Sequence, residues 1–337
     1  MQIADRHATP PALPETLVVE LTNHCNLHCP LCSTNLAMTR PRGFMSLDLF
    51  RQLTGELQAA GLRPELSFNM CGEPLLHPQA AEFVACAASG GFRTLICTNA
   101  TPLTVELGEA LIRAGLPAIR VCLDGATAAS HELYRVGSSF DRVKRNIEAL
   151  IETRARMGAP NPRITVQTLL TRASEGEIEQ VLDWAWQAGA DEVCFKPLSL
   201  GTRTTPEQKR FGRGILPASA QLRRAAPCGD EPCRYPFHHM LVYWNGDLGV
   251  CCIDFNNVAG LSSIREGGIL ARAASPEVVL ARRLGCERRL PICKPCQAAR
   301  SGFRGFGVPL AELRERGAGR PSWARELQQA GVDYAPR

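Results

Sequence analysis

The sequence predicts an α/β fold: a partial (β/α)6 TIM-like barrel followed by a small cysteine-rich C-terminal domain. Three observations predict it. Over the first 200 residues, strand-like apolar runs alternate with helical segments, with short turns between them. The strand runs are almost continuously apolar, as a parallel sheet covered by helices requires. The alternation stops near residue 200, and cysteines then become dense. Six strand–helix units fall short of the eight that close a full barrel.

The elements follow in order. After a Pro-containing leader, TLVVELT (16–22) reads as a buried strand. SLDLFRQLTGELQAAG (46–61) is a helix with a Ser cap and a Gly stop. The strands ELSFNM (65–70), RTLICTNA (93–100), AIRVCLDG (118–125), RITVQTLLT (163–171) and EVCFKPLS (192–199) come next. Between them lie helical segments at 79–91, 104–115, 139–158 and 175–190. Residues 201–227 are polar and punctuated by Gly and Pro, and read as a linker. The expected organisation is a leader (1–15), a core (16–200), that linker, a cysteine-rich domain (228–300) and a tail (301–337). The leader is too short to form a domain of its own. In such sheets the site lies at the C-terminal ends of the strands.

Composition narrows the function. The chain has 337 residues, 45% of them hydrophobic, with a net charge of +5. A mild positive charge reads as a solvated surface. Nucleic-acid binding needs a clustered stripe, and only ARRLGCERRLP (281–291) is basic-rich. No apolar run approaches the length of a membrane span, and the N-terminus lacks the layout of a secretion signal. A cytoplasmic location is expected. Fifteen cysteines in such a chain point to metal or redox chemistry rather than to a disulfide framework.

The stretch LTNHCNLHCPLCSTN (21–35) carries Cys25, Cys29 and Cys32 on the loop after the first strand. Thiolates are soft ligands that select iron–sulfur clusters, zinc or copper(I). A [4Fe–4S] cube normally takes four thiolates, so three leave one iron open. The alternative is a zinc site completed by His24 or His28. CNLHCPLC resembles the cluster motif of the radical S-adenosylmethionine (radical SAM) superfamily. The resemblance implies that Cys25, Cys29 and Cys32 hold a [4Fe–4S] cluster and that SAM occupies the open iron. Reductive cleavage of SAM would then yield a 5′-deoxyadenosyl radical that takes a hydrogen atom from a C–H bond.

Further motifs carry the same resemblance. NMCGEP (69–74) is similar to the family's GGEP segment at the SAM amino group: Gly72, Glu73 and Pro74 match, and Cys71 replaces the first Gly. That replacement bears on local backbone freedom. CTNAT (97–101) offers Asn99 near the SAM ribose, and in VCLDG (121–125) Asp124 reads as structural. Gln167 faces SAM or substrate, or is a core-edge amide. Lys196 is a substrate contact or a solvated rim residue. Cys86, Cys97, Cys122 and Cys194 read as small buried hydrophobes.

In the C-terminal part, Cys233, Cys251, Cys293 and Cys296 supply four thiolates, enough to close a second cluster. Cys228 and Cys286 are spare and could replace an assigned ligand; a zinc knuckle is the alternative. The arrangement resembles the twitch, or truncated SPASM, domain of some radical SAM enzymes, which implies an auxiliary [4Fe–4S] cluster. Cys252 stands beside Cys251. In a hairpin reading of VYWNGDLGVCCID, neighbours face opposite ways, so Cys252 is either a hydrogen-atom donor to a substrate radical or a structural thiol.

The layout resembles the aminoglycoside-tailoring group of the family. It implies epimerisation of a sugar carbon in aminoglycoside-type antibiotic biosynthesis, with Cys252 returning the hydrogen. The alternatives are dehydrogenation of an aminocyclitol or sugar alcohol, modification of a peptide or activation of another enzyme, and a non-enzymatic metal-binding scaffold. The expected partners are a polar small-molecule substrate and a flavodoxin- or ferredoxin-type reductant. A polycationic sugar asks for acidic contacts, and Asp254 and Glu20 are candidates.

Overall fold

The structure, a computed structural model, describes residues 13–198, 200, 205–223, 232–293, 296, 305–317 and 319–330. Six strands recur at the expected places: β1 (Thr16–Val19), β2 (Glu65–Phe68), β3 (Thr94–Thr98), β4 (Ala118–Cys122), β5 (Arg163–Leu170) and β6 (Glu192–Pro197). After β1 come α1 (Ser33–Leu36) and α2 (Leu47–Ala59), and then α3 (Ala80–Ser89), α4 (Val105–Arg113), α5 (Ala128–Tyr134), α6 (Phe140–Arg156) and α7 (Ile178–Ala188). The caps the sequence advertises are formed. Ser46, Thr104 and Ser139 accept backbone amides at the starts of α2, α4 and α6.

β1 to β6 pair in chain order, all parallel. Right-handed crossovers in an unbroken order put every covering helix on one face. The side chains confirm this by alternation. Ile96, Ile119, Val121, Ile164, Val166, Val193 and Phe195 are fully buried in the helix-covered core. Their strand neighbours Cys97, Arg120, Gln167, Cys194 and Lys196 face the other way and stay half-buried. That second face is the lumen of the partial barrel.

Two findings extend the expectation. The linker segment contains α8 (Pro206–Gly214), which starts in a capping box between Thr205 and Gln208 with Pro at the first turn. Its polar composition concealed it, although T-P-x-Q was a legible start signal. Beyond the linker, α9 (Tyr235–His238) leads into β7 (His239–Val242), which pairs parallel with β1 as a seventh parallel strand. β8 (Leu248–Gly249) closes a hairpin on β7, and β9 (Phe306–Val308) runs antiparallel along β6. The sheet order is β8-β7-β1-β2-β3-β4-β5-β6-β9. The cysteine-rich part thus continues the sheet through β7.

The later helices are α10 (Gly268–Ala273), α11 (Pro276–Cys286), α12 (Leu310–Glu315) and α13 (Trp323–Gln329). Glu56 of α2 receives the amides of Ile269 and Leu270 at 2.8 and 3.0 Å. A side chain from the core thereby caps a helix of the C-terminal part. Glu56→Ala leaves both amides unpaired and should lower stability by about 1–2 kcal/mol, read as a shift of the urea midpoint. No helix among the described residues is long and apolar enough to cross a membrane.

Candidate active site

The cysteine loop leaves the C-terminal end of β1 and lies over the end of β2. The closest approach is at Gly72, whose φ is +77°. A Cβ there would come within 2.5 Å of the carbonyl oxygens of Thr22 and His24. The amide of Glu73 donates to the His24 carbonyl at 2.8 Å. Cys71, which stands where the family has Gly, does not have a positive φ. The backbone freedom is needed only one residue later, where Gly is kept.

Glu73 is buried and accepts from Thr98 Oγ1 (2.6 Å), the Asn99 amide (2.7 Å) and the Leu75 amide (3.0 Å). Burial raises its carboxyl pKa, opposed by those bonds. It ties the end of β2 to the end of β3. Asn99 then reaches the cysteine loop: its Nδ2 donates to Asn26 Oδ1 at 3.1 Å. Asn26, not singled out from sequence, also donates to Thr101 Oγ1 at 2.7 Å. Pro74 starts a short 3-10 turn, Pro74–Leu76, beyond Glu73.

Cys25, Cys29 and Cys32 sit close enough to feel each other's charge, and the Cys32 amide bonds the Cys29 carbonyl at 3.1 Å. Burial pushes the Cys29 thiol up to about 11 and also raises Cys25. Such thiols are thiolates at neutral pH only when a metal holds them. Arg135 favours the thiolate form of Cys29, and its Nε bonds Asp124 at 2.6 Å. Sequence reading missed Arg135; its signal was a cation at the end of α5, the helix that follows the VCLDG strand end. Asp124 also receives the Leu169 amide at 2.8 Å, a structural role. The ring of His24 stacks on Phe44 with centroids 4.8 Å apart. Gln167 lies on the lumen face with Nε2 3.6 Å from Cys122 Sγ.

In the C-terminal part, Cys233, Cys251, Cys293 and Cys296 line one cavity, together with Pro236, Ile253, Gly285, Arg288 and Leu290. Among the described residues, no three His, Cys, Asp or Glu side chains close on a single ion. Four thiols spread around an otherwise largely apolar cavity suit a cubane better than one tetrahedral zinc. Cys286 does not line the cavity. It is buried at the end of α11, its thiol pushed up to about 12 by burial, and its carbonyl accepts the Cys233 amide at 2.8 Å. Cys228 lies outside the described residues.

Cys251 and Cys252 follow the end of β8 and are not strand residues, contrary to the hairpin reading. Cys251 lines the cavity and Cys252 is exposed beside it, with the two thiols hydrogen-bonded to each other. Cys252 is hydrogen-bonded with Tyr235, which packs beside Val18, Leu241 and Tyr243.

The two candidate acids are committed elsewhere. Glu20 is clamped by Arg40 through both oxygens (2.7 and 3.0 Å) and receives the Trp244 amide at 3.3 Å. Asp254 accepts the amides of Val258 (2.7 Å) and Ala259 (3.1 Å). Neither offers an open carboxylate to a cationic substrate. Arg40 joins the two halves: it lies over the Tyr243 ring at 4.2 Å and donates to the Phe255 carbonyl at 2.7 Å.

A barrel sheet with a cysteine triplet at its first strand end, and a four-thiol cavity beyond, defines an iron–sulfur enzyme of the radical SAM kind. The chain belongs to that superfamily, whose sequence profile matches residues 19–188. Membership implies a [4Fe–4S] cluster and SAM. Among curated relatives, the chain is 30% identical over 178 residues to an AdoMet-dependent heme synthase of Methanosarcina barkeri, covering 52% of this chain and 48% of the relative. It is 25% identical over 196 residues to a tungsten-containing aldehyde ferredoxin oxidoreductase cofactor-modifying protein of Pyrococcus furiosus, covering 57% and 53%. The chain therefore spans about half the length of these two relatives. A PqqA peptide cyclase of Streptomyces rochei matches at 27% over 301 residues, 87% of this chain and 79% of that one. Solved structures share the fold. They include BtrN in complex with AdoMet and 2-DOIA (TM-score 0.52, 18% identity, covering 85% and 93%) and Streptococcus suis SuiB bound to precursor peptide SuiA (0.63, 16%, 86% and 72%). Native anSMEcpe with bound AdoMet is a third (0.59, 14%, 94% and 99%).

Two outcomes are expected. Arg40→Met strands a buried carboxylate and should cost about 3–5 kcal/mol, while adding Glu20→Gln should restore part of that loss, as a double-mutant cycle in urea would show. After anaerobic reconstitution, Cys286→Ala should keep about eight irons per chain and Cys293→Ala should fall to about four, by iron and sulfide analysis.

Proposed function

We propose that the chain is a radical SAM enzyme that epimerises a carbon of a polar small molecule, with Cys252 returning the hydrogen atom. Cys25, Cys29 and Cys32 would hold the SAM-binding cluster, and Cys233, Cys251, Cys293 and Cys296 the auxiliary one. When bound, cluster and SAM together supply a 5′-deoxyadenosyl radical that removes a substrate hydrogen atom. Gly72, Glu73, Pro74, Asn99 and Gln167 shape the wall against which SAM would lie. The buried Glu73 carboxylate holds that wall rigid through its three bonds.

The observation that carries the epimerase reading is an exposed thiol, Cys252, directly beside the four-thiol cavity. Cys251 faces the four-thiol cavity, while Cys252 is exposed and touches Tyr235. A thiol S–H is weak enough to give its hydrogen atom to a substrate carbon radical. An external one-electron reductant and a proton then restore the thiol. An antibiotic sugar remains within this reading. Its polycationic charge loses the two acids expected to meet it, since Glu20 and Asp254 are internally bonded.

A second reading is peptide modification, and the breadth of the PqqA peptide cyclase match, 87% of this chain, favours it. Dehydrogenation of a small-molecule alcohol is a third, and it needs no returned hydrogen. Cys252→Ala separates these. In heavy water the wild type should leave deuterium on an inverted carbon. The variant should still release 5′-deoxyadenosine but form no inverted product, by mass spectrometry and NMR. Unchanged product from the variant would remove the donor role.

A further inference from the structure

The lumen face of the sheet carries an unbalanced charge. Register places Arg120 of β4 level with Thr165 and Glu192, and places Lys196 of β6 level with Leu169, two same-face steps nearer the strand ends. That is about 13 Å further along the strand direction. Neither cation has a carboxylate within ion-pair distance among the described residues. Nε of Arg120 is buried and without a hydrogen-bond partner. Both charges act on Cys194, which lies between them, and each favours its thiolate form against burial. Strand alternation puts both on the lumen face.

The neighbouring carboxylates do not answer them; the Cys97 thiol, level with Arg120 and lowered to about 7 by a hydrogen bond with Cys122 and by Arg120 itself, is a partial answer. Glu20, Glu73, Asp124 and Asp254 are committed to the bonds described above. Glu192, level with Arg120, accepts instead from Thr165 Oγ1 at 3.3 Å and from Arg163 at 3.4 Å. Its other oxygen lies toward Gly307 of β9, where a Cβ would come within 2.8 Å. An unpaired, half-desolvated guanidinium is costly in the empty protein and is relieved by an anion. Its planar fork matches a carboxylate or a phosphate, and an ammonium at the rim adds a second contact.

We infer that the substrate presents an anionic group, a carboxylate or a phosphate, which Arg120 and Lys196 bind on the lumen wall. The inference rests on the lumen being the substrate site of the reaction proposed above. It extends that reading by assigning the charge of the substrate, and it runs opposite to a polycationic sugar. Arg120 and Lys196 are binding residues in this account; the hydrogen-transfer chemistry lies elsewhere.

The test uses anaerobically reconstituted protein with 5′-deoxyadenosine and methionine present, so that the site of SAM is filled. Malonate and inorganic phosphate are titrated separately by calorimetry. One saturable site is expected for at least one probe, and the probe that binds tells carboxylate from phosphate. Arg120→Met and Lys196→Met should each weaken binding roughly tenfold or more, as loss of a charge-assisted hydrogen bond predicts, with Arg120→Lys weakening it less. If Arg120→Met does not fold, Lys196→Met decides alone. Absence of saturable binding by both probes, or variants within about twofold of wild type, overturns the inference. Release of 5′-deoxyadenosine from SAM and dithionite by the wild type is measured alongside. It reports on the reaction independently of the anion site, so either reading can fail while the other stands.

Discussion

The pairing of Arg40 with Glu20 is the contact on which both cysteine sets depend. Glu20 directly follows β1, one turn before the three-thiol loop, and its carboxylate is fully buried. Arg40 comes from the far side of that loop, stacks on Tyr243 at the end of β7, and bonds the Phe255 carbonyl just beyond the Cys251–Cys252 pair. One guanidinium thereby fixes the distance between the loop of the SAM-binding cluster and the segment that carries Cys251. A buried pair of this kind adds little net stability over an apolar substitute, but removing one partner is expensive. Its value here is geometric. Asn256 reinforces it, accepting the Thr39 amide at 2.8 Å and donating to the Ala37 carbonyl at 2.7 Å.

Around this clamp, the candidate SAM site is assembled from strand ends that hold each other through one close backbone approach and a set of side-chain hydrogen bonds. Gly72 lets β2 come close under the cysteine loop. Glu73 then locks β2 to β3, and Asn99 and Asn26 return the connection to the loop. The carboxylate at the centre is fully satisfied, as a buried charge must be. The same economy explains why acids near the lumen are unavailable for substrate: each is already needed to hold a strand end, a turn or a neighbouring strand.

Much of this was legible in the sequence. The six strands and their helices follow from apolar period and caps, and CNLHCPLC carried the resemblance to the superfamily to which the chain belongs. The seventh parallel strand was not legible as such. HMLV at 239–242 is only four residues long and reads as half of a hairpin, and nothing local says that it pairs with β1 more than 200 residues earlier. Glu20 and Asp254 were misjudged for a related reason. A carboxylate's partners, here Arg40 and the amides of Val258 and Ala259, are a property of tertiary arrangement. Lys196 was a candidate substrate contact from its place at a strand end, but Arg120 acquired meaning only when register showed that the two share a face of the sheet. Strand alternation was expected to turn Cys251 and Cys252 to opposite faces, but both lie beyond β8 and their thiols are hydrogen-bonded to each other.

We assign the two thiol sets to clusters of different kinds, one with an open iron and one closed by protein. Electron paramagnetic resonance of the reduced Cys25→Ala/Cys29→Ala/Cys32→Ala protein tests this most directly. The account predicts a remaining cluster signal that does not change when SAM is added, set against a wild-type spectrum that does. A signal in the triple variant that shifts with SAM, or a wild-type spectrum indifferent to it, would contradict the assignment.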